Sequence, residues 1–158
     1  MQFGIEHSRF WRVAAAAMVL LAVIAPRGLA ARAEPSIEEL KGRVANVPVT
    51  DRPPLCIHIS ERQLAEADRL YVAGDSEKAQ ATLADVIAYS ELARDYSIQG
   101  HKHEKQSEIA IRKMTRKLAD IRHAVSHEDQ EQLQKTIDRL QQIRDDLLAA
   151  MFPKGGKK

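Results

Sequence analysis

From Glu61 to Met151 the chain has no proline and only two glycines, Gly74 and Gly100, in a stretch dense in Ala, Leu, Glu, Gln, Lys and Arg. These side chains give up little freedom on entering a helix, whereas an interior proline would break one. An all-α fold is therefore predicted. Its core must be aliphatic, because Phe3, Phe10 and Trp11 account for all but one of the Phe and Trp residues and fall in the first 33 residues.

Local signals divide the chain further. Ser36 followed by Glu39 is a capping-box pattern, which predicts a short helix from Ile37 to about Ala45. Val47 to Pro54 then holds three prolines, so residues 34–52 are expected to form a loosely held, flexible arm. Pro53-Pro54 suits the first turn of a helix, where the missing N–H has no intrahelical partner to lose. Leu55 to Ile59 has strand propensity, yet Cys56, Ile59, Gln63, Ala67, Leu70 and Tyr71 recur at helical spacing, which favours helix. Gly74 can take the left-handed conformation that stops this helix, and Asp75 or Ser76 can cap the next.

The stretch from Ala67 to Ala79, continued by Leu83 and Val86, resembles the middle of a tetratricopeptide repeat. In that family a small residue and an aromatic on one helix pack against an alanine and a large apolar residue on the next, across a Gly-Asp turn. Ala67, Tyr71, Ala79 and Leu83 match those places in a hairpin over about residues 53–90. The resemblance covers one repeat of about 34 residues. A bare helical hairpin with the same turn chemistry accounts for the same residues, since no second copy follows and the family's terminal proline is missing.

Steps of four and three from Ala79 reach Leu83, Val86, Ser90, Ala93, Ser97, Gly100, Glu104, Ser107, Ile111, Met114, Leu118, Ile121 and Val125. A register held that long predicts one central helix over about 76–125. Its ends are apolar and its middle is small or polar, so a thinly packed waist is expected. A break at Gly100 is the competing reading, because a helical glycine costs only ~1 kcal/mol against alanine and does not decide the matter. Ser126 and Asp129 open a last helix in which Leu133, Ile137, Leu140, Arg144, Leu147 and Met151 repeat at the same spacing. Paired with Ile111 to Val125, it predicts an antiparallel coiled-coil hairpin that shares the central helix with the first hairpin. Arg144 occupies a seam position that calls for an apolar side chain, where its stem can cover apolar surface or the seam frays. Residues 53–152 thus form one elongated domain, and 153–158 a flexible basic tail.

The N-terminal segment has its own logic. Arg9 and Arg12 precede an apolar run from Val13 to Ala25 that meets Pro26, Arg27 and Gly28. That order is the pattern of a secretory signal peptide, and the run is shorter than the ~20 residues a membrane-spanning helix needs. Cleavage is expected after Ala33, within 1–33, or alternatively after Ala30, giving a periplasmic or secreted protein. Residues 1–33 carry four arginines and one glutamate, so the remaining 20 basic and 21 acidic residues leave the mature part at −1, against +2 for the whole chain. Near-neutral charge gives no reason to expect a nucleic-acid ligand. The single cysteine, Cys56, is either a buried small apolar residue or a handle for an intermolecular disulfide, and its place on an apolar helix face favours burial.

Few constellations carry chemistry. His101 and His103 lie two apart and point to different faces of a helix, while His123 and His127 have the right spacing but no evident third ligand, so no metal or other cofactor is expected. No paired carboxylates, nucleophile-base arrangement or glycine-rich phosphate loop stands out, which argues against an enzyme and against a small-molecule substrate. Lys105, Arg112, Lys113, Arg116 and Lys117 instead form a positive stripe within residues 102–122. Such a stripe suits an acidic protein or an anionic lipid surface, or serves only as a solvated face. The expectation is an exported helical scaffold or protein-protein interaction module, with self-association along the thin seam as one form of it. A peripheral binder of anionic membrane and a metal-responsive sensor are the alternatives.

Overall fold

The computed structural model describes residues 34–153. The leader read over residues 1–33 and the tail from Lys154 onward lie outside the described residues. Among the described residues there are five α-helices and no strand: α1 (Ile37–Val44), α2 (Arg52–Val72), α3 (Ser76–Gly100), α4 (Glu104–Ala124) and α5 (His127–Met151), with a 3-10 turn over Val49–Asp51. The fold is all-α, and Leu55 to Ile59 is helical.

The helix ends follow from local chemistry. The Ser36 and Ser126 hydroxyls accept the N–H of Glu39 at 3.1 Å and of Asp129 at 3.3 Å, and Asp75 accepts that of Lys78 at 3.3 Å. Each satisfies a donor that the first turn of a helix leaves without a backbone partner. α2 ends on Gly74 at φ 80°, with Gly74 N–H donating to Tyr71 O and Asp75 N–H to Leu70 O. This pair of bonds is the Schellman arrangement, and a residue with a Cβ would be strained at its centre.

The central helix expected over 76–125 is two helices, broken after Gly100. Lys102 N–H donates to Ser97 O at 3.2 Å and His101 N–H to Ile98 O at 3.4 Å, repeating the bond pattern at Gly74. The left-handed position here is His101 at φ 48°, one residue after the glycine, and His103 follows at φ 71°. Gly100 keeps a right-handed backbone, and a Cβ built there would lie 3.4 Å from Thr50 Cγ2, at the near end of ordinary contact. A regular heptad register could not reveal this break, since it is carried by two histidine backbones at a cost of about 1 kcal/mol or more each.

The break lets the two hairpins fold onto one another. α2 pairs with α3 and α4 with α5, both antiparallel, while α3 lies along α5 and α2 along α4. Polar contacts follow the same pairing: Arg94 to Asp146 at 2.8 Å and Arg139 Nε to Glu91 at 2.7 Å join α3 to α5, and Lys117 to Asp68 at 2.7 Å joins α4 to α2. Leu64, Leu83, Val86, Ile111, Leu118, Leu133, Leu140, Ile143 and Leu147 from all four helices form one buried cluster.

The waist is also not thin. Ser60, Ser90, Ser97 and Ser107 are buried, and they bond to one another across helices: Ser90 to Ser60 at 3.3 Å and Ser97 to Ser107 at 3.0 Å. Small side chains at these seam positions let helices approach closely, and the hydroxyls find partners that offset their desolvation.

Residues 34–52, expected to be a loose arm, dock on the α2–α3 hairpin. Leu40 and Val44 of α1 are buried against Cys56, Ile59 and Ala93. Arg52 donates to Val47 O and sits 5.0 Å over the Tyr96 ring, while Lys41 reaches Asp85 at 3.0 Å and sits 5.7 Å from the Tyr89 ring centre. Two buried aliphatics and two cation–aromatic contacts supply anchorage that a count of apolar residues underestimates. Cys56 is fully enclosed in this cluster, and burial pushes its thiol pKa up to about 11.

Candidate functional site: the basic face of α4

Lys105, Arg112, Lys113, Arg116 and Lys117 all lie on α4 and are all exposed. They do not form a single row. Arg112 and Arg116, one turn apart, line a groove of about 460 Å³ between α4 and α5, together with Thr115, Gln141, Arg144 and Asp145. Lys113 and Lys117, also one turn apart, line a second groove of about 210 Å³ between α4 and α2, with Leu64, Ala65 and Met114 beside them and Glu61 on its rim. Helical spacing of three and four places neighbours on one face, and the two rows are offset by one residue, so each faces a different partner helix. Lys105 lines neither groove.

The electrostatic state of these cations differs. Lys117 pairs with Asp68, and Arg112 Nε lies 3.7 Å from Glu108. Lys105, Lys113 and Arg116 have no ion pair or hydrogen bond among the described residues. Elsewhere in the bundle the basic side chains are mostly engaged: Arg94, Lys102, Lys135 and Arg139 meet carboxylates, and Arg52 meets backbone oxygens. Among the described residues only Arg43 shares the unpaired state of the three α4 cations.

Glu108 is the member of this region that the stripe alone does not disclose. Its side chain is 9% exposed, and its Oε1 accepts from Arg144 Nε at 2.7 Å. Arg144 at a seam position that calls for an apolar side chain is thus explained: the guanidinium crosses from α5 to a buried carboxylate on α4. The signal available was the pairing of two anomalies, a basic residue on one seam and an acidic residue next to the other.

The histidines do not converge with this face. His101 and His103 occupy the α3–α4 turn, and His123 and His127 border a mixed-charge groove of about 520 Å³ with Arg122, Glu128, Gln130, Glu131 and Gln134. Among the described residues no group of three or more His, Cys, Asp or Glu side chains is placed to hold a metal ion. No described helix is long and apolar enough to cross a membrane. No protein-family model, curated protein or solved structure matches this chain.

Proposed function

We propose that this chain is an exported, non-enzymatic helical module that docks an acidic surface of another protein on the α4 face. The observation that carries the proposal is the concentration of unpaired cations: Lys105, Lys113 and Arg116 lack partners among the described residues in a bundle that otherwise engages most of its charges. The α2–α4 groove adds an apolar floor of Leu64, Ala65 and Met114 beside the Lys113 and Lys117 ammonium groups. An apolar anchor point with a charged rim is the arrangement of protein docking sites, where burial supplies affinity and rim charges supply rate and orientation. Export rests on the leader pattern of residues 1–33, and the non-enzymatic reading on the lack of a catalytic motif in the sequence. The α2–α3 hairpin around Gly74, with Ala67, Ala79 and Leu83 buried, supports the tetratricopeptide-like reading of that one unit.

The test is a photo-reactive side chain at Ala65, an exposed position in the groove, in protein expressed in its native envelope. One discrete cross-linked protein is expected, and it should disappear in the Lys105→Glu/Lys113→Glu/Arg116→Glu variant while the far-ultraviolet spectrum and melt are retained. Cross-linking that is indifferent to charge reversal contradicts the proposal. So does salt-sensitive sedimentation with anionic vesicles in place of a protein adduct, which identifies a membrane surface as the target.

A further inference from the structure

The α4–α5 groove differs in kind from the apolar groove beside α2. Three arginines share its lining: Arg112 and Arg116 from α4, and Arg144 from α5. Glu108 beneath them takes Arg144 through Nε at 2.7 Å and stands 3.7 Å from the Nε of Arg112. Arg144 is held through Nε, Arg112 is only within ion-pair distance, and the terminal nitrogens of both have no hydrogen-bond partners among the described residues. Arg116 has no partner there at all. The Gln141 amide is likewise uncommitted, while the Thr115 hydroxyl donates to Ile111 O at 2.9 Å. Asp145, also in the lining, is the one opposing charge at the mouth.

We infer that this groove is a binding site for a phosphate group, either free phosphate or a phosphate monoester. The planar guanidinium offers paired donors that match two oxygens of a tetrahedral oxyanion, and a group already fixed through Nε loses little freedom when its outer edge binds. A phosphate monoester carries about −1.5 to −2 charge near neutral pH and can accept from several forks at once. Three arginines against Glu108 and Asp145 leave a local excess of one positive charge before the ligand arrives. A single carboxylate can use only one fork, so the third guanidinium favours phosphate over an isolated acidic side chain. This site shares Arg116 with the protein-docking reading, which otherwise depends on Lys105, Lys113 and the α2–α4 groove, so Arg144→Lys, outside that reading, tests the site by itself.

The experiment is a titration of inorganic phosphate into the mature protein at constant ionic strength, observing the arginine Nε–H resonances by NMR. Saturable shifts of Arg112, Arg116 and Arg144 are expected. Arg116→Gln should weaken the apparent affinity about tenfold, as removal of a charge-assisted pair does. Arg144→Lys should weaken it similarly while the melt stays close to wild type, because a lysine can still pair with Glu108 but then has no second edge to present. Shifts that grow linearly without saturation, or that Arg116→Gln leaves unchanged, overturn the site. Equal affinity for a glutamate-rich peptide of matched charge also overturns it. A vesicle arm separates the two sources of the same chemistry: sedimentation with phosphatidic acid but not phosphatidylglycerol identifies a lipid monoester headgroup, and binding of phosphate without either lipid identifies a soluble ligand. Equal sedimentation with both lipids shows diffuse charge attraction and contradicts a built phosphate site.

Discussion

The hydroxyls of Ser97 and Ser107 meet at 3.0 Å across the turn from α3 to α4, with both residues shielded from solvent. Neither hydroxyl has another side-chain partner among the described residues, so each satisfies the other in the interior. Ser97→Ala or Ser107→Ala alone leaves one buried hydroxyl orphaned and is expected to cost about 1–3 kcal/mol in a urea melt. The double variant should cost less than the sum of the two, since removing both partners leaves nothing unsatisfied. Strict additivity would show that the hydroxyls do not bond.

Strain at the same turn gives a second test. His101 and His103 hold left-handed backbones that a glycine adopts freely. His101→Gly is expected to raise stability by about 1 kcal/mol, and Gly74→Ala, at a left-handed position, to lower it by at least that much. Gly100→Ala should be neutral or stabilising by up to ~1 kcal/mol, because its backbone is right-handed and an added methyl would meet Thr50 at ordinary contact distance. Thermal melts give all three signs.

Much of this architecture is legible from local chemistry. Ser36, Asp75 and Ser126 as caps, Gly74 as a stop, and the burial of Leu118, Leu133, Ile137 and Leu140 along an antiparallel hairpin each follow from residue type and spacing. The turn at 101–103 does not, because a histidine in the left-handed region is an exception to its own preference, and the nearby glycine kept a helical backbone. The docking of residues 34–52 was hidden for another reason. Leu40 and Val44 are too few to form a pattern, and the Arg52 and Lys41 contacts with Tyr96 and Tyr89 join residues far apart in sequence. Within the candidate site, the five basic residues are visible at once from their numbers. That they face two grooves, and that Glu108 fixes Arg144, depends on which helices lie beside α4.

Tyr71 offers a test of desolvation. Its hydroxyl is buried with no hydrogen-bond partner among the described residues, and burial, reinforced by the Asp129 carboxylate, pushes its pKa up to about 12. Tyr71→Phe removes the unsatisfied group while keeping the ring against the core. It is expected to stabilise the protein by about 1 kcal/mol, and a loss of similar size in a thermal melt would reveal a partner for the hydroxyl.

Asp129 links pH to the junction of α3 and α5. It accepts from the Ser126 hydroxyl at 2.7 Å, the Ser76 hydroxyl at 2.8 Å and Gln80 Nε2 at 3.0 Å. The Ser126 bond, supported by those of Ser76 and Gln80 and opposed by burial, holds its pKa below the usual carboxylate value. A carboxyl with a depressed folded pKa contributes stability that is present above its unfolded value near 4 and is lost as pH falls through the folded value. The melting temperature should therefore fall as pH drops below about 4, with a smaller fall in Asp129→Asn. An acid profile identical in the two proteins would show that Asp129 is not a source of the dependence.

The α2–α4 groove exists only because the chain doubles back at residues 101–103, which also brings the start of α3 beside the start of α5. Spin labels at Glu77→Cys and Glu128→Cys, both exposed positions, in a Cys56→Ala background, measure this directly by electron double resonance. The Ser76 to Asp129 hydrogen bond at 2.8 Å predicts a single short separation, on the order of 20 Å or less once two label arms are included on strands of helix about 10 Å apart. A continuous helix through Gly100 would separate the same positions by roughly 75 Å at 1.5 Å per residue, and a distance in that range contradicts the packed bundle and the α2–α4 docking groove built on it.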